Sequence, residues 1–324
     1  MFGPTWVKGY RVSDTVLSKC VTRLNYTYEK ETGSIYMCSP YNGVYLWVND
    51  VYMSRIPTEE VTDYTYIKIN ICLDGHCEVL LSDGRYVYLE PGIISIDSHQ
   101  THGFYQYQTK RYRGLEIVVN MEQFKNSPIQ AFTDVGLESE QVEQLLQKKD
   151  GSYLGRVDAK WKEWAENLCT HLINADQDMY DYRFGLIQLL YEMKKGRITS
   201  IDRDIYLTKG QREIAQNAKA ILTEDLNRRY SAEELAKKFK ISPSSLKKYF
   251  ELRFGSPISV YMREQRLEYG KRLLEETNQN VVKIAEQVGY SNQGKFCGVF
   301  KKHVGVTPLE YRRLHTGGDR NEIE

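Results

Sequence analysis

The sequence predicts an α+β chain: a β-rich N-terminal domain, a helical pair after it, and an all-α C-terminal domain. Three observations carry that prediction. One pattern occurs twice near the C-terminus, as LAKKFKISPSSLKKYFELRFGSP from Leu235 to Pro257 and as IAEQVGYSNQGKFCGVFKKHVGVTP from Ile284 to Pro308. From about Ser34 to Asn120 the chain is rich in Tyr, Ile and Val, with turn signals at short intervals. Between these regions, apolar residues recur at three and four in two stretches, the spacing of amphipathic helices.

In the β-rich region Tyr64–Leu73 is strand-like, Asp74-Gly75 turns, and Cys77–Ser82 follows. Asp83-Gly84 makes a hairpin into Arg85–Leu89. Pro91-Gly92 turns again, and Ile93–Asp97 and Leu115–Asn120 complete the set. Many short antiparallel strands predict a sandwich or small barrel. The stretch INICLDGHCEVLLSDGRYVYLEPGIISID resembles a cupin-like jelly roll in its pattern and turn placement. Metal-binding cupins present His-x-His and a Glu, with another His from the next strand pair. Here His76 stands beside Cys77, and His99 and His102 follow the Pro-Gly turn, so no metal or other cofactor is expected. Trp47, Tyr66, His99 and His102 are the candidates for binding a small ligand, with large aromatics able to stack on a sugar or an aromatic ring. The same aromatics also serve as ordinary core.

Two helices follow. Trp161, Trp164, Ala165, Leu168, Leu172 and Ile173 form one stripe within Asp158–Ala175. Tyr182, Leu186, Leu189, Leu190 and Met193 form another within Asp178–Lys195. Lys194-Lys195-Gly196 ends the second helix, and residues 197–209 read as a linker.

Each copy of the C-terminal repeat is a short helix, a tight turn and a second helix. Ala236 pairs with Ala285, Phe250 with Phe300 and Gly255 with Gly305, the second copy carrying one extra residue near its turn. In the first copy Ser231-Ala-Glu-Glu234 is a capping box, Lys240-Ile241-Ser242 turns, Ser242 caps the next helix and Pro243 takes its first position. Leu246, Tyr249 and Phe250 form its buried stripe, which leaves Ser244, Ser245, Lys247, Lys248 and Glu251 outward. Two Lys and two Ser near a helix N-terminus suit a major groove, where bases and phosphates accept hydrogen bonds. In the second copy Gly289 breaks the first helix, and Asn292, Gln293, Lys295, Cys297 and Gly298 point outward. Asn and Gln can each read adenine with two hydrogen bonds. Gly294 and Gly298 supply no side chain, so this copy is expected to read fewer base edges and to rely more on phosphates. The bland reading is that the glycines relieve crowding against a neighbouring helix. A connecting helix, capped by Ser256 and begun by Pro257, runs to about Thr277. At about 20 residues it spans ~30 Å, close to the ~34 Å between successive major grooves on one side of DNA.

Residues from about 211 to 315 resemble the DNA-binding domain of the AraC/XylS family of bacterial transcription regulators. The resemblance is carried by Ile284-Ala285, Val288-Gly289-Tyr290, Phe296, Phe300-Lys301-Lys302, Gly305, Thr307-Pro308 and Tyr311-Arg312. It implies a double-stranded DNA partner, with bases read by Ser244, Lys247 and Lys248 from the first unit and by Asn292, Gln293 and Lys295 from the second. Arg263, Lys301, Lys302 and Arg312 are the phosphate-contact candidates. The resemblance further implies RNA polymerase as a partner, a homodimer formed through the helical pair (the alternative being that the pair only packs onto its own barrel), and a small-molecule effector, a sugar by family habit, in the N-terminal domain. Gly294 and Gly298 depart from the family's usual Ser, Thr, Gln or Arg.

Charge divides the chain the same way. From Lys209 to His315 there are 21 Lys/Arg against 12 Asp/Glu, while the whole chain has a net charge of +1. A basic C-terminal third in a neutral whole localises the polyanion-binding surface. The six cysteines are scattered, with no zinc-like spacing, and read as reduced residues of a cytoplasmic protein. No signal peptide or membrane span is expected. The predicted organisation is a cupin-like sensor over 1–125, a helical dimerisation segment over 126–196, the linker, a double helix-turn-helix over 210–315 and a flexible tail over 316–324. The expected function is that of an effector-responsive transcription activator or repressor without enzymatic activity. The alternatives are a metal-dependent cupin enzyme fused to a DNA-binding domain, and a constitutive activator with no ligand.

Overall fold

In the computed structural model, described for residues 10–57, 66–80, 84–97, 104–109, 111–126, 132–133, 135–136, 138, 140, 152–196, 198–201 and 206–316, the chain divides into two compact units, 1–209 and 210–324. The first unit is a layered β structure. Its strands are β1 (Arg11–Val16), β2 (Thr22–Tyr28), β3 (Glu31–Tyr41), β4 (Val44–Tyr52), β5 (Arg55–Pro57), β6 (Tyr66–Asp74) and β7 (Cys77–Leu80). These are followed by β8 (Tyr86–Leu89), β9 (Ile93–Asp97), β10 (Phe104–Tyr107), β11 (Tyr112–Asn120), β12 (Ser152–Val157), β13 (Ile198–Ser200) and β14 (Tyr206–Leu207). Among the described residues, one antiparallel sheet runs β1-β2-β3-β4-β11-β6-β9-β12-β13 and a second runs β14-β8-β7-β10-β5. The strands expected from the turn signals are present, from β6 through β9 and in β11.

Alternation along β4 shows how the larger sheet is used. Val44, Leu46 and Val48 join one apolar core, whereas Trp47 and Val51, one residue out of phase, pack on the other. The first core is closed by two helices, α2 (Ala159–Asn174) and α3 (Met179–Lys194), with the short α1 (Met121–Asn126) nearby. The second core takes Cys77, Val79, Val87 and Leu89 from the smaller sheet. The central strands of the larger sheet are therefore covered on both faces, whereas its edge strand β1 is largely exposed. In β6 and β11 the residues facing the first core are apolar (Ile67, Ile69, Ile71, Leu115, Ile117, Val119), while the intervening positions include the buried polar Asn70 and Glu116.

Both helices start where the sequence places them. Asp158 accepts the Trp161 N–H at 2.8 Å, and Asp178 closes a capping box with Asp181. Trp161 is fully buried and its indole N–H donates to the Leu189 carbonyl at 3.1 Å, pinning α2 to α3. The expected boundary at 125 is too early. Strand β12 lies between α1 and α2 in sequence, yet it pairs with β9 some 55 residues upstream (Tyr153 opposite Ile96). The stretch expected as a linker also contributes strands: Ile198–Ser200 pairs with β12 and Tyr206–Leu207 with β8. No local signal announces such pairings, because the partner that completes each strand is remote in sequence.

Burial pushes the Cys38 thiol up to about 12 and raises Cys72, Cys77 and Cys169 as well, so these thiols stay protonated at neutral pH.

The second unit is all helical: α4 (Lys209–Glu224), α5 (Ala232–Lys238), α6 (Pro243–Phe254), α7 (Ile258–Glu276), α8 (Val281–Gln287), α9 (Gln293–Val304) and α10 (Pro308–His315). It holds two separate cores. Ala215, Ala218 and Leu222 of α4 join Leu235, Leu246, Phe250, Tyr261 and Met262 in the first. Leu267, Leu273 and Leu274 of α7 join Ile284, Val288, Phe296, Phe300 and Tyr311 in the second. Helix α7 gives its first turns to one core and its last turns to the other. No helix among the described residues is long and apolar enough to cross a membrane.

Candidate nucleic-acid interface

The two helix-turn-helix units are built by matching local chemistry. Ser231 and Glu234 form the expected capping box on α5: the Glu234 N–H donates to Ser231 Oγ at 3.0 Å and the Ser231 N–H to Glu234 Oε2 at 2.7 Å. These bonds from Ser231 hold the Glu234 carboxyl below its usual range. Ser242 caps α6, accepting the Ser245 N–H at 3.1 Å, with Pro243 following. Gly255 and Gly305 close α6 and α9 in left-handed conformations, φ 70° and 89°. Thr307 and Glu310 form another capping box on α10. Ser256 departs from expectation: Pro257 is the N-cap of α7, and no side chain bonds that end.

The turns follow the same logic. Lys240 and Gly289 both take positive φ, 55° and 80°. The next residue in each donates its N–H back to the small residue shared by the two copies, Ile241 to the Ala236 carbonyl and Tyr290 to that of Ala285. Ser242 follows Ile241 directly, whereas Ser291 separates Tyr290 from the cap Asn292. The extra residue of the second copy is therefore Ser291. A glycine is required at only one of the two turns. A Cβ on Gly289 would sit 2.3 Å from the Leu226 carbonyl oxygen and 3.0 Å from Arg266 Nε. That carbonyl accepts both Arg266 Nε and Nη2, at 3.1 and 3.0 Å, and Arg229 donates to the Gly289 carbonyl at 3.3 Å.

On α6, Ser244, Lys247, Lys248 and Glu251 are exposed and Ser245 is half-buried, over the buried Leu246 and Phe250. The Ser244 and Ser245 hydroxyls both lie 2.8 Å from Ser242 Oγ, which fixes them at the helix N-terminus. On α9, Gln293, Gly294, Lys295 and Gly298 are exposed over Phe296 and Phe300, with Lys301 and Lys302 exposed in the last turns. Nothing lies within 4 Å of a Cβ built on Gly298, and for Gly294 the nearest atom is Asn292 Oδ1 at 3.5 Å. Crowding does not account for these glycines; they leave a low, smooth face.

Two expected DNA contacts have structural work in the free protein. Asn292 is the N-cap of α9, its Oδ1 accepting the Lys295 N–H at 2.8 Å. Bidentate reading of adenine needs that same oxygen, so it competes with the cap. Arg312 is half-buried, its Nε donating to the Leu274 carbonyl at 3.3 Å and its Nη2 to the Gln279 carbonyl at 2.6 Å. It ties α10 to the end of α7, satisfying carbonyls that a helix C-terminus leaves open. Arg312→Ala is accordingly expected to destabilise the C-terminal unit by about 1–3 kcal/mol while leaving the salt dependence of DNA binding unchanged. Urea unfolding and a salt titration check the two halves of that statement. Arg263 is half-buried on α7.

Arg228 and Arg229, in the loop before α5, were not among the expected site residues. With Lys247, Arg266 and Glu251 they border a cleft of about 410 Å³ beside α6, floored by Leu222, Leu235 and Met262. The only sequence signal was the Arg-Arg pair before a capping box.

In the first unit Trp47 and Tyr66 are half-buried, while His99 and His102 lie outside the described residues. Beside Trp47 sits a buried polar group. Glu116, 3% exposed, accepts Asn49 Nδ2 at 2.9 Å and pairs with Lys68 at 3.4 Å, and Lys68 Nζ lies 5.8 Å from the Trp47 ring centre.

Residues 235–314 match a family model described as a helix-turn-helix domain. The chain is similar to Transcriptional regulator SirC of Salmonella typhimurium (strain SL1344), with 30% identity over 148 residues, 45% of this chain and 48% of SirC. It is also similar to HTH-type transcriptional activator RhaR of Yersinia pestis bv. Antiqua (strain Angola), 27% identical over 128 residues, 40% of this chain and 43% of RhaR. The chain spans about half the length of the curated relatives it matches. Among solved structures, the C-terminal domain of the two-component response regulator yesN from Fusobacterium nucleatum subsp. nucleatum ATCC 25586 is 33% identical. That match covers 31% of this chain and 95% of the other, with a TM-score of 0.28.

Proposed function

We propose that the chain is a cytoplasmic, sequence-specific transcription regulator of the AraC type, responsive to a small-molecule effector, a reading supported by the match of residues 235–314 to a helix-turn-helix domain. The observation that carries this is the pair of exposed, basic helices α6 and α9 held by separate cores on one connecting helix. At 19 residues, α7 is about 28 Å long, near the repeat of successive major grooves. Ser244, Ser245, Lys247 and Lys248 read base edges from α6. Gln293 and Lys295 do so from α9, where Gly294 and Gly298 let the backbone approach the duplex and Asn292 chiefly holds the helix N-terminus. Lys301, Lys302 and Arg263 serve phosphates. The DNA-bound protein acts on RNA polymerase.

Two features of the N-terminal unit support the rest of the reading. The buried Glu116–Asn49 pair, with the partly exposed Lys68 beside it and Trp47, offers charged and amide groups next to an aromatic face, which suits a polyhydroxylated effector such as a sugar. On α3, Tyr180 and Phe184 are 75% and 70% exposed, and Tyr191 follows on the same face. Such a stripe at i, i+4 and i+11 suits burial against a second copy of the chain. Phe184→Glu is expected to leave folding stability within about 0.5 kcal/mol while shifting sedimentation from dimer to monomer.

Selection of sites from random duplex DNA at fixed near-physiological salt tests the main reading. The expected product is a motif with two contact blocks about one helical turn apart. Salt-dependent binding with no enriched motif would sink the proposal. Replacing both Lys247 and Lys248 by Ala is expected to erase enrichment in one block. For each phosphate that these lysines no longer neutralise, the slope of log affinity against log salt falls by about 0.9.

A further inference from the structure

The nine-stranded sheet also carries a cavity on its helix-covered face, away from the polar group at Trp47. It measures about 210 Å³ and is lined by Ile69, Ile96, Val119, Met121, Phe124 and Met193, among others, with Lys194 at the rim. Protein interiors hold few voids larger than a water molecule. At this size the site exceeds the ~150 Å³ apolar cavity that takes up benzene in an engineered protein, and unlike that sealed void it opens partly to solvent, which gives an occupant a way in. A water here would find few partners. Lys194 Nζ already donates to the Val135 carbonyl at 2.9 Å, and the Tyr153 hydroxyl is hydrogen-bonded to Ser200. A bound water needs two to four polar groups, so the site favours an occupant that needs none.

We propose that this cavity is a binding site for a small, uncharged, apolar molecule, of the size of a substituted benzene or a short aliphatic alcohol. The preference for an uncharged occupant follows from the lining: Lys194 is its one charged group and already donates to the Val135 carbonyl, and the other eleven residues offer a buried ion no counter-charge. The aromatic faces of Phe124 and Phe132 and the thioethers of Met121 and Met193 supply polarizable contact. Leu190 and Met193 also place one wall on α3, the helix that bears the exposed aromatic stripe, so an occupant bears directly on that helix. The assignment goes beyond the regulator reading and does not depend on it.

The test uses the full chain with 13C-methyl methionine and titrates toluene, 1-hexanol and hexanoate by NMR, without DNA. Assignment rests on single Met→Leu variants. The expected result is a saturable shift of the Met121 and Met193 methyls with toluene or hexanol, with Met53 and Met262 unmoved. Ile198→Phe, which fills the cavity from the edge strand β13, is expected to weaken that binding about tenfold or more. Should this variant fail to fold, the wild-type methyl shifts decide alone. Unmoved Met121 and Met193 methyls, equal shifts across all methionines, or tighter binding of hexanoate than of hexanol would each overturn the proposal. Because the measurement involves no DNA, its failure leaves the regulator reading standing, and a failed site selection leaves this one standing.

Discussion

Gly289→Ala is expected to destabilise the C-terminal unit by about 3–5 kcal/mol and to abolish the DNA contact block read by α9. Two costs combine. A side chain at φ 80° costs roughly 1–2 kcal/mol by itself, because its Cβ crowds the backbone. Here the added methyl would also lie 2.3 Å from the Leu226 carbonyl, a backbone atom that cannot rotate away. To make room, the loop must retreat and give up the two hydrogen bonds from Arg266. The control is the equivalent turn of the first unit. Lys240 already holds φ 55° with a full side chain, so Lys240→Gly should stay within about 1 kcal/mol of wild type. Urea unfolding of both variants is the check. If Gly289→Ala melts like Lys240→Gly, close approach of the loop is not what fixes glycine there.

Phe300→Ala carries the second large effect. The ring is fully buried, with Phe296 and Tyr311 each 5.4 Å away between ring centres, so it joins α9 to α10. Truncating a buried Phe costs about 3–5 kcal/mol through lost burial and the cavity left behind. Its consequence should be local. Phe300 belongs to the second core and Phe250 to the first, with no buried residue shared between them. Site selection with Phe300→Ala is expected to recover the α6 block without the α9 block, and Phe250→Ala the reverse. Loss of both blocks in either variant would show that the two cores melt as one.

These expectations mix what the sequence shows with what it hides. The caps of both helices in the first helix-turn-helix were legible: Ser231 with Glu234 and Ser242 with Pro243 act where their spacing places them, whereas Ser256 does not cap the connecting helix. Capping is settled within four residues, so a local pattern suffices. Gly289 was legible as a helix breaker, but its clash partner was not, since Leu226 is more than sixty residues away in sequence. For Asn292 an exposed amide near a helix N-terminus suits both base reading and capping, and the structure adds the capping role through the hydrogen bond from Lys295. For Arg312, the sequence held no sign of its hydrogen bonds to the Leu274 and Gln279 carbonyls, more than thirty residues upstream.

By itself, the sequence determined the α+β division, the repeat, the buried stripe of each helix and the concentration of positive charge in the C-terminal third. Those follow from periodicity, capping and composition, which act between near neighbours. The tertiary structure alone decided that β12, β13 and β14 belong to the sheets of the first unit, that α7 serves two cores, and that an apolar cavity lies under α3. Each of these depends on which distant surfaces meet, and pairing across long separations leaves no periodic trace in the chain.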